Sequence, residues 1–179
     1  SDASFRRYFR IPVADGALIA MDAPPEHEDT RPFIDVAERL AAGGLNVPRV
    51  LATDVERGFV LMTDLGARGY LDALATDDAD SLLDDAIDAL LRMQAGVACE
   101  GLPPYDQARL QAELDLFPTW YVRHHLGLEP DADWWRAWAA SCRALLDNAL
   151  AQPRVFVHRD FMARNLMVTE PNPGVLDFQ

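Results

Sequence analysis

Lysine is absent from the 179 residues, so every one of the 16 basic side chains is arginine. Any task that other proteins give to a lysine falls here to arginine or is left undone. Positive charge is scarce altogether: 29 acidic residues leave a net charge of -13, which excludes bulk nucleic-acid binding, since phosphate contacts need a basic face. The two cysteines, Cys99 and Cys142, lie far apart in segments of helical apolar spacing. They read as buried thiols, which excludes a disulfide scaffold and a cysteine-rich metal site. No apolar run approaches the ~18 residues of a membrane span. The opening SDASFRRYFR lacks the apolar stretch of a signal peptide, so a cytoplasmic protein with no membrane partner is expected. What is present is an ordinary globular composition, 50% hydrophobic and 25% charged, enough for one moderately large domain or two small lobes sharing a cleft, with no need of a covalent staple.

The first 63 residues read mainly as strands. Segments 8–12 and 17–21 flank Ala14-Asp15-Gly16, a hairpin signal. A proline-bearing loop at 23–30 follows. Phe33, Ile34, Ala37, Leu40 and Ala41 then recur at helical spacing over 31–42, and Gly43-Gly44 stops the helix. Segments 47–53 and 58–63 read as two further strands. Beyond Gly66 the texture turns helical. Leu82, Leu83, Ala86, Ile87, Leu90 and Leu91 mark one face of a helix, while the acidic stretch 77–88 gives its start and solvated side. A second helix begins near Asp106 and is kinked or ended at Pro118. A third, 134–150, sets Trp134, Trp135, Trp138, Cys142, Leu145 and Leu146 in one stripe, read as core packing. Short strands are expected at 154–157, 166–169 and 174–176, the last two joined by the turn Pro171-Asn172-Pro173-Gly174. The fold class is α+β, with a sheet-rich part followed by a helical part.

The chemistry concentrates at the end of the chain. HRDFMARN spans 158–165, an apolar hairpin follows, and Asp177-Phe178 comes next. An HRD triplet alone is a weak signal. An aspartate, an asparagine five residues on and a second aspartate beyond a hairpin form a compound one, because kinase-type phosphotransferases place a base and two metal ligands in that order. Asp160 then accepts a hydrogen bond from the acceptor hydroxyl and aligns it on the terminal phosphorus of ATP. Asn165 and Asp177 offer hard oxygen ligands suited to Mg²⁺. His158 reads as a support for the loop, and Arg164 as either a phosphate contact or a surface residue.

On these residues the chain resembles the aminoglycoside-phosphotransferase and choline-kinase group of small-molecule kinases. More narrowly, SDASFRRYFR, LIAMDAPPEHEDTRPF, LMTDLG and HRDFMARNLM with GVLDFQ are similar to the bacterial anomeric kinases of N-acetylmuramate and N-acetylglucosamine. The resemblance implies a protein-kinase-like two-lobe fold, with a β-rich nucleotide-binding lobe over 1–65 and a helical lobe over 66–179, incomplete at its C-terminus. It implies ATP and Mg²⁺ as cofactors, Asp160 as base, and Asn165 with Asp177 as metal ligands. Ser1, Ser4 and Arg6 fall in the loop over the phosphates, and Met62, Asp64 and Leu65 in the hinge that binds adenine. The implied reaction makes a sugar 1-phosphate in cell-wall recycling, from a small-molecule sugar and ATP.

The chain departs from the kinase pattern at the third strand. Where the strand lysine that holds the phosphates is expected, it carries Met21. A thioether cannot stand in for an ammonium, so Arg6, Arg7 or Arg10 supplies the charge, or metal ions do most of the neutralising. Glu113, Asp115 and Trp120, around the kinked helix, are the expected acceptor contacts. Two other readings stay open: a kinase for a cationic acceptor such as an aminoglycoside or choline, and a non-catalytic nucleotide-binding protein.

Overall fold

Side chains of a strand alternate between its two faces, and the first hairpin shows what that does here. In the computed structural model, which describes residues 5–178, β1 (Arg7–Val13) pairs antiparallel with β2 (Gly16–Asp22) across a tight turn. The register sets Tyr8 opposite Met21 and Arg10 opposite Ile19. Tyr8 and Arg10 therefore share one face of β1 with Arg6 just ahead of it, while Arg7, Phe9 and Ile11 share the other. β3 (Val50–Asp54) and β4 (Phe59–Thr63) complete a four-stranded antiparallel sheet in the order β1-β2-β4-β3. Residues 47–49, expected as strand, precede the ladder; Pro48 has no N–H to give it. The β3–β4 turn depends on Gly58. Its φ is +76°, and a Cβ there would stand 1.9 Å from the Ala23 carbonyl oxygen, while Ala23 N donates to the Gly58 carbonyl at 2.9 Å.

Helix α1 (Arg31–Ala42) has the predicted bounds, with Pro32 in its first turn, where a missing N–H costs nothing. Its buried residues are Phe33, Val36, Ala37 and Leu40. Ala41, expected on that face, is exposed, because the 3.6-residue period carries the seam through Val36 instead. The single turn α2 (Tyr70–Ala73) is too short to show a period in the sequence. Helix α3 (Ala79–Gly96) is capped by Asp78, whose side chain accepts from Ser81 N at 3.4 Å. It buries Leu82, Ala86, Ala89 and Met93, whereas Leu83, Ile87 and Leu91, expected on the same face, are exposed.

The described residues pack as two units, one running through Cys99 and resuming at Val155, the other Glu100–Arg154. The end of the chain therefore belongs with the sheet. Two backbone bonds hold it there, Val175 N to Asn46 O and Val168 N to Arg68 O, both 2.8 Å. Segment 154–157 makes no strand ladder, contrary to expectation. β5 (Leu166–Met167) and β6 (Gly174–Val175) pair antiparallel but are only two residues each. Met21, Leu40, Val60, Tyr70, Met93, Val175 and Phe178 are among the fully buried large residues of this unit, each contributing roughly 1.5–3 kcal/mol by leaving water.

The second unit is helical. α4 (Gln107–Leu114) is capped by Asp106 and α5 (Ala132–Leu150) by Asp131. Between them Phe117–His125 forms a wide, π-type helical segment with Pro118 in its first turn. Pro118 thus opens a helical segment instead of ending one, since α4 has already stopped at Leu114. The tryptophans of α5 are half-buried. Trp138 stacks on Phe117 at 5.2 Å and on Trp134 at 5.7 Å, while Cys142 and Leu146 are the buried positions of the helix. No helix of the described residues is long and apolar enough to cross a membrane.

Candidate active site

The loop from His158 to Asn165 is shaped by hydrogen bonds that its sequence alone does not reveal. His158 is buried, and its Nε2 lies 3.0 Å from the Leu176 carbonyl. A carbonyl only accepts, so the ring carries its hydrogen on Nε2. Nδ1 is then a buried nitrogen with no hydrogen-bond partner among the described residues. Burial holds the imidazole pKa below its usual value and outweighs the Leu176 bond, which acts the other way. The ring is neutral at pH 7 and spends its N–H on Leu176, the residue directly before Asp177, the supporting place expected for it.

Asn165 joins the two aspartates. Its Nδ2 donates to the Asp160 backbone carbonyl at 2.9 Å and lies 3.4 Å from Asp177 Oδ2. Its own N–H reaches the Met162 carbonyl at 2.8 Å, and its carbonyl accepts from Leu176 N at 2.9 Å. An amide that donates in two directions from Nδ2 has Oδ1 left over. Among the described residues neither Asn165 Oδ1 nor Asp177 Oδ1 takes a hydrogen bond. These two hard oxygens, one neutral and one anionic, are of the kind that suits a magnesium ion, which is commonly held by one or two protein oxygens and completes its shell with water and phosphate. The backbone is unusual at both ends of this arrangement. Arg159 and Asp177 have φ of 74° and 57°, a region non-glycine residues seldom enter and which clusters at functional sites.

These side chains border a cavity of about 940 Å³, within the range of small-molecule and cofactor sites. Asp160, Asn165 and Asp177 line it together with Arg6, Met62, Asp64 and Leu65, so these expected site residues meet at one cavity. Met62 is buried. Asp64 is bound twice by Arg10, from Nε at 2.7 Å and from Nη2 at 3.0 Å, and Arg10 Nη2 also reaches the Gly66 carbonyl at 2.6 Å. Asp64 Oδ1 further accepts from Gly66 N at 2.9 Å. The segment after β4 is therefore pinned to β1, and Gly66 turns the chain with φ of +90°.

Ser1 and Ser4, expected in the phosphate loop, lie outside the described residues. Glu113, Asp115 and Trp120 belong to the helical unit. There Glu113 accepts from the Tyr105 hydroxyl, Asp115 Oδ1 accepts from Gln111 Nε2 at 2.8 Å, and Trp120 stacks on His124 at 4.9 Å while 61% exposed. Sequence reasoning overlooked Tyr8, Ile19, Glu28 and Phe33, all on the cavity wall. For Tyr8 the signal was available: alternation along β1 puts it between Arg6 and Arg10. Glu28, in a loop, offered none.

The chain matches the phosphotransferase enzyme family over residues 1–179. It is 55% identical over 179 residues to an N-acetylmuramate/N-acetylglucosamine kinase of Pseudomonas aeruginosa and 51% identical to one of Pseudomonas putida, covering 100% of this chain and 53% of each relative. The chain thus spans about half the length of the curated relatives it matches. Its fold is similar to that in the streptomycin-ATP-APH(2")-IIa ternary complex, with a TM-score of 0.60 at 16% identity over 97% of this chain and 66% of that one. The family match has no gap at either end of the sequence and relatives above half identity lie beneath it: the chain belongs to the phosphotransferase enzyme family.

Proposed function

We propose that this chain carries the ATP-binding and phosphoryl-transfer part of a magnesium-dependent kinase, acting on the anomeric hydroxyl of N-acetylmuramate or N-acetylglucosamine in cell-wall recycling. A cytoplasmic location, where ATP is supplied, goes with this reading. The observation that carries it is the double engagement of Asn165, which ties the Asp160 loop to Asp177 on the wall of one cavity. The names of the relatives support the choice of sugar.

In this reading Asp160 accepts the hydrogen bond of the anomeric hydroxyl and orients its oxygen for in-line attack. The bond from that oxygen to the terminal phosphorus forms as the bond from phosphorus to the ADP oxygen breaks, and the hydroxyl proton passes to the Asp160 carboxylate. An anomeric hydroxyl is more acidic than an ordinary alcohol, so a weakly basic carboxylate suffices. Asn165 Oδ1 and the Asp177 carboxylate would hold magnesium, which when bound supplies positive charge to the phosphate oxygens. Met62 and the backbone of Asp64 and Leu65 receive the adenine. Glu113, Asp115 and Trp120 are the proposed acceptor contacts.

ATP consumption by the protein is to be measured with N-acetylmuramate, N-acetylglucosamine, kanamycin and choline. Turnover with a sugar, giving the 1-phosphate, is expected. Asp160→Asn should lose on the order of 10²- to 10⁴-fold in kcat. A 6-phosphate product, or turnover with kanamycin or choline alone, would overturn the assignment of the acceptor. An Asp160→Asn variant with wild-type turnover would remove the base.

A further inference from the structure

A chain without lysine must meet the charge of a triphosphate in some other way. Met21, at the place of the strand lysine, is fully buried, 0% exposed, between Tyr8 and Val60 of the neighbouring strands. Four arginines come into question, and the structure separates them. Arg7 lies on the far face of β1 and pairs with Asp22 at 2.5 Å. Arg10 borders the cavity, but its guanidinium is committed to Asp64 and the Gly66 carbonyl. Arg164 borders it from an exposed position on the turn before Asn165. Arg6 borders it with a side chain only 16% exposed.

Arg6 is also the one held in a built setting. Glu28 accepts from Arg6 Nε at 3.2 Å with one carboxylate oxygen and from Phe5 N at 3.3 Å with the other. The guanidinium carbon lies 5.8 Å from the Phe33 ring centre, and Phe33 stacks on Phe178 at 5.0 Å, the residue directly after Asp177. Tyr8 reports the same neighbourhood. Burial pushes its phenol up, Arg6 draws it down by charge and hydrogen bond, and the Asp177 carboxylate pushes it up. Arg6, Tyr8 and Asp177 all line that one cavity. A carboxylate that grips a guanidinium at Nε fixes the plane of the group, and the planar fork of a guanidinium matches phosphate.

Resting on the proposed ATP reading, we infer that Arg6, oriented by Glu28 ahead of β1, is the cation that binds the nucleotide phosphates in place of the absent strand lysine. Removing two charge-assisted hydrogen bonds from a partly buried site lowers affinity by about 10²- to 10⁴-fold. Direct binding of ATP and of adenosine is to be measured by calorimetry on the protein and on Arg6→Met, Arg6→Lys and Arg164→Met. The expected result is that Arg6→Met loses ATP affinity by that factor and keeps adenosine affinity, while Arg164→Met keeps both. Unchanged ATP affinity in Arg6→Met, or a loss confined to Arg164→Met, overturns the assignment. If Arg6→Met loses both ligands, Arg6→Lys decides: retained adenosine binding with weakened ATP binding supports the assignment, and loss of both overturns it. A wild-type protein that binds ATP no tighter than adenosine removes the ATP reading itself, whichever arginine is changed.

Discussion

Replacing Asn165 by aspartate changes almost no volume and turns both hydrogen bonds of its side-chain nitrogen into contacts between two acceptors. The wild-type amide donates to the Asp160 carbonyl at 2.9 Å and to the Asp177 carboxylate at 3.4 Å. In Asn165→Asp an oxygen stands where that nitrogen was. The missing bond to the carbonyl costs about 1 kcal/mol. Two unit charges 3.4 Å apart repel by about 1 kcal/mol in bulk water and about 5 kcal/mol at an effective dielectric constant near 20. Asp177 is exposed, so the lower part of that span applies, and the sum is about 2–3 kcal/mol. For a chain of this size that lowers Tm by roughly 4–12 °C. Asn165→Ala forfeits the hydrogen bonds without the repulsion and should lose only about 1 kcal/mol. The aspartate variant is therefore expected to be the less stable of the two at pH 8 without divalent cations. Repulsion raises the carboxylate pKa values in the folded variant. Stability held by the protonated form is present at low pH and lost as pH rises through the raised folded value, so the gap between the variants narrows toward the carboxylate range. Magnesium, attracted by the added charge, narrows it too. Urea unfolding of both variants at several pH values measures this. Equal stabilities at pH 8, or a gap that ignores pH, would refute the reasoning.

Two further outcomes follow from the same unit. His158 is held neutral by burial, with its pKa depressed. The unfolded chain then takes up the proton first, and stability falls as pH drops below the unfolded value of about 6.5, by at most about 1.4 kcal/mol per pH unit. Urea titrations from pH 8 to 5 should show this slope in the wild type and a flatter one in His158→Gln; parallel slopes would contradict it. Gly58→Ala places a methyl group 1.9 Å from the Ala23 carbonyl oxygen at φ of +76°. It should destabilise by more than about 2 kcal/mol, read as a lower urea midpoint, whereas a neutral result would mean that the turn yields easily.

The parts that local pattern controls were legible in the chain. The first hairpin could be read from Asp15-Gly16 between alternating runs, and α1 from its apolar period and the Gly43-Gly44 stop, because turn geometry and helix periodicity act over a few residues. The spacing of Asp160, Asn165 and Asp177 was legible for a related reason: the loop and hairpin that hold them are continuous in sequence. The seam of α3 was not, since an apolar band wider than one face leaves open which part is covered, and the packing buried Ala89 and Met93 while exposing Ile87 and Leu91. The strand expected at 154–157 failed because β pairing needs a partner that no local pattern supplies. The order of residues thus settles which atoms are on hand, hard oxygens at three positions and arginine in place of every lysine. That Glu28 meets Arg6 across 22 residues and that Arg10 is tied to Asp64 across 54 is visible in the fold alone, because contacts between segments far apart in sequence form when the chain folds back on itself and closes those loops.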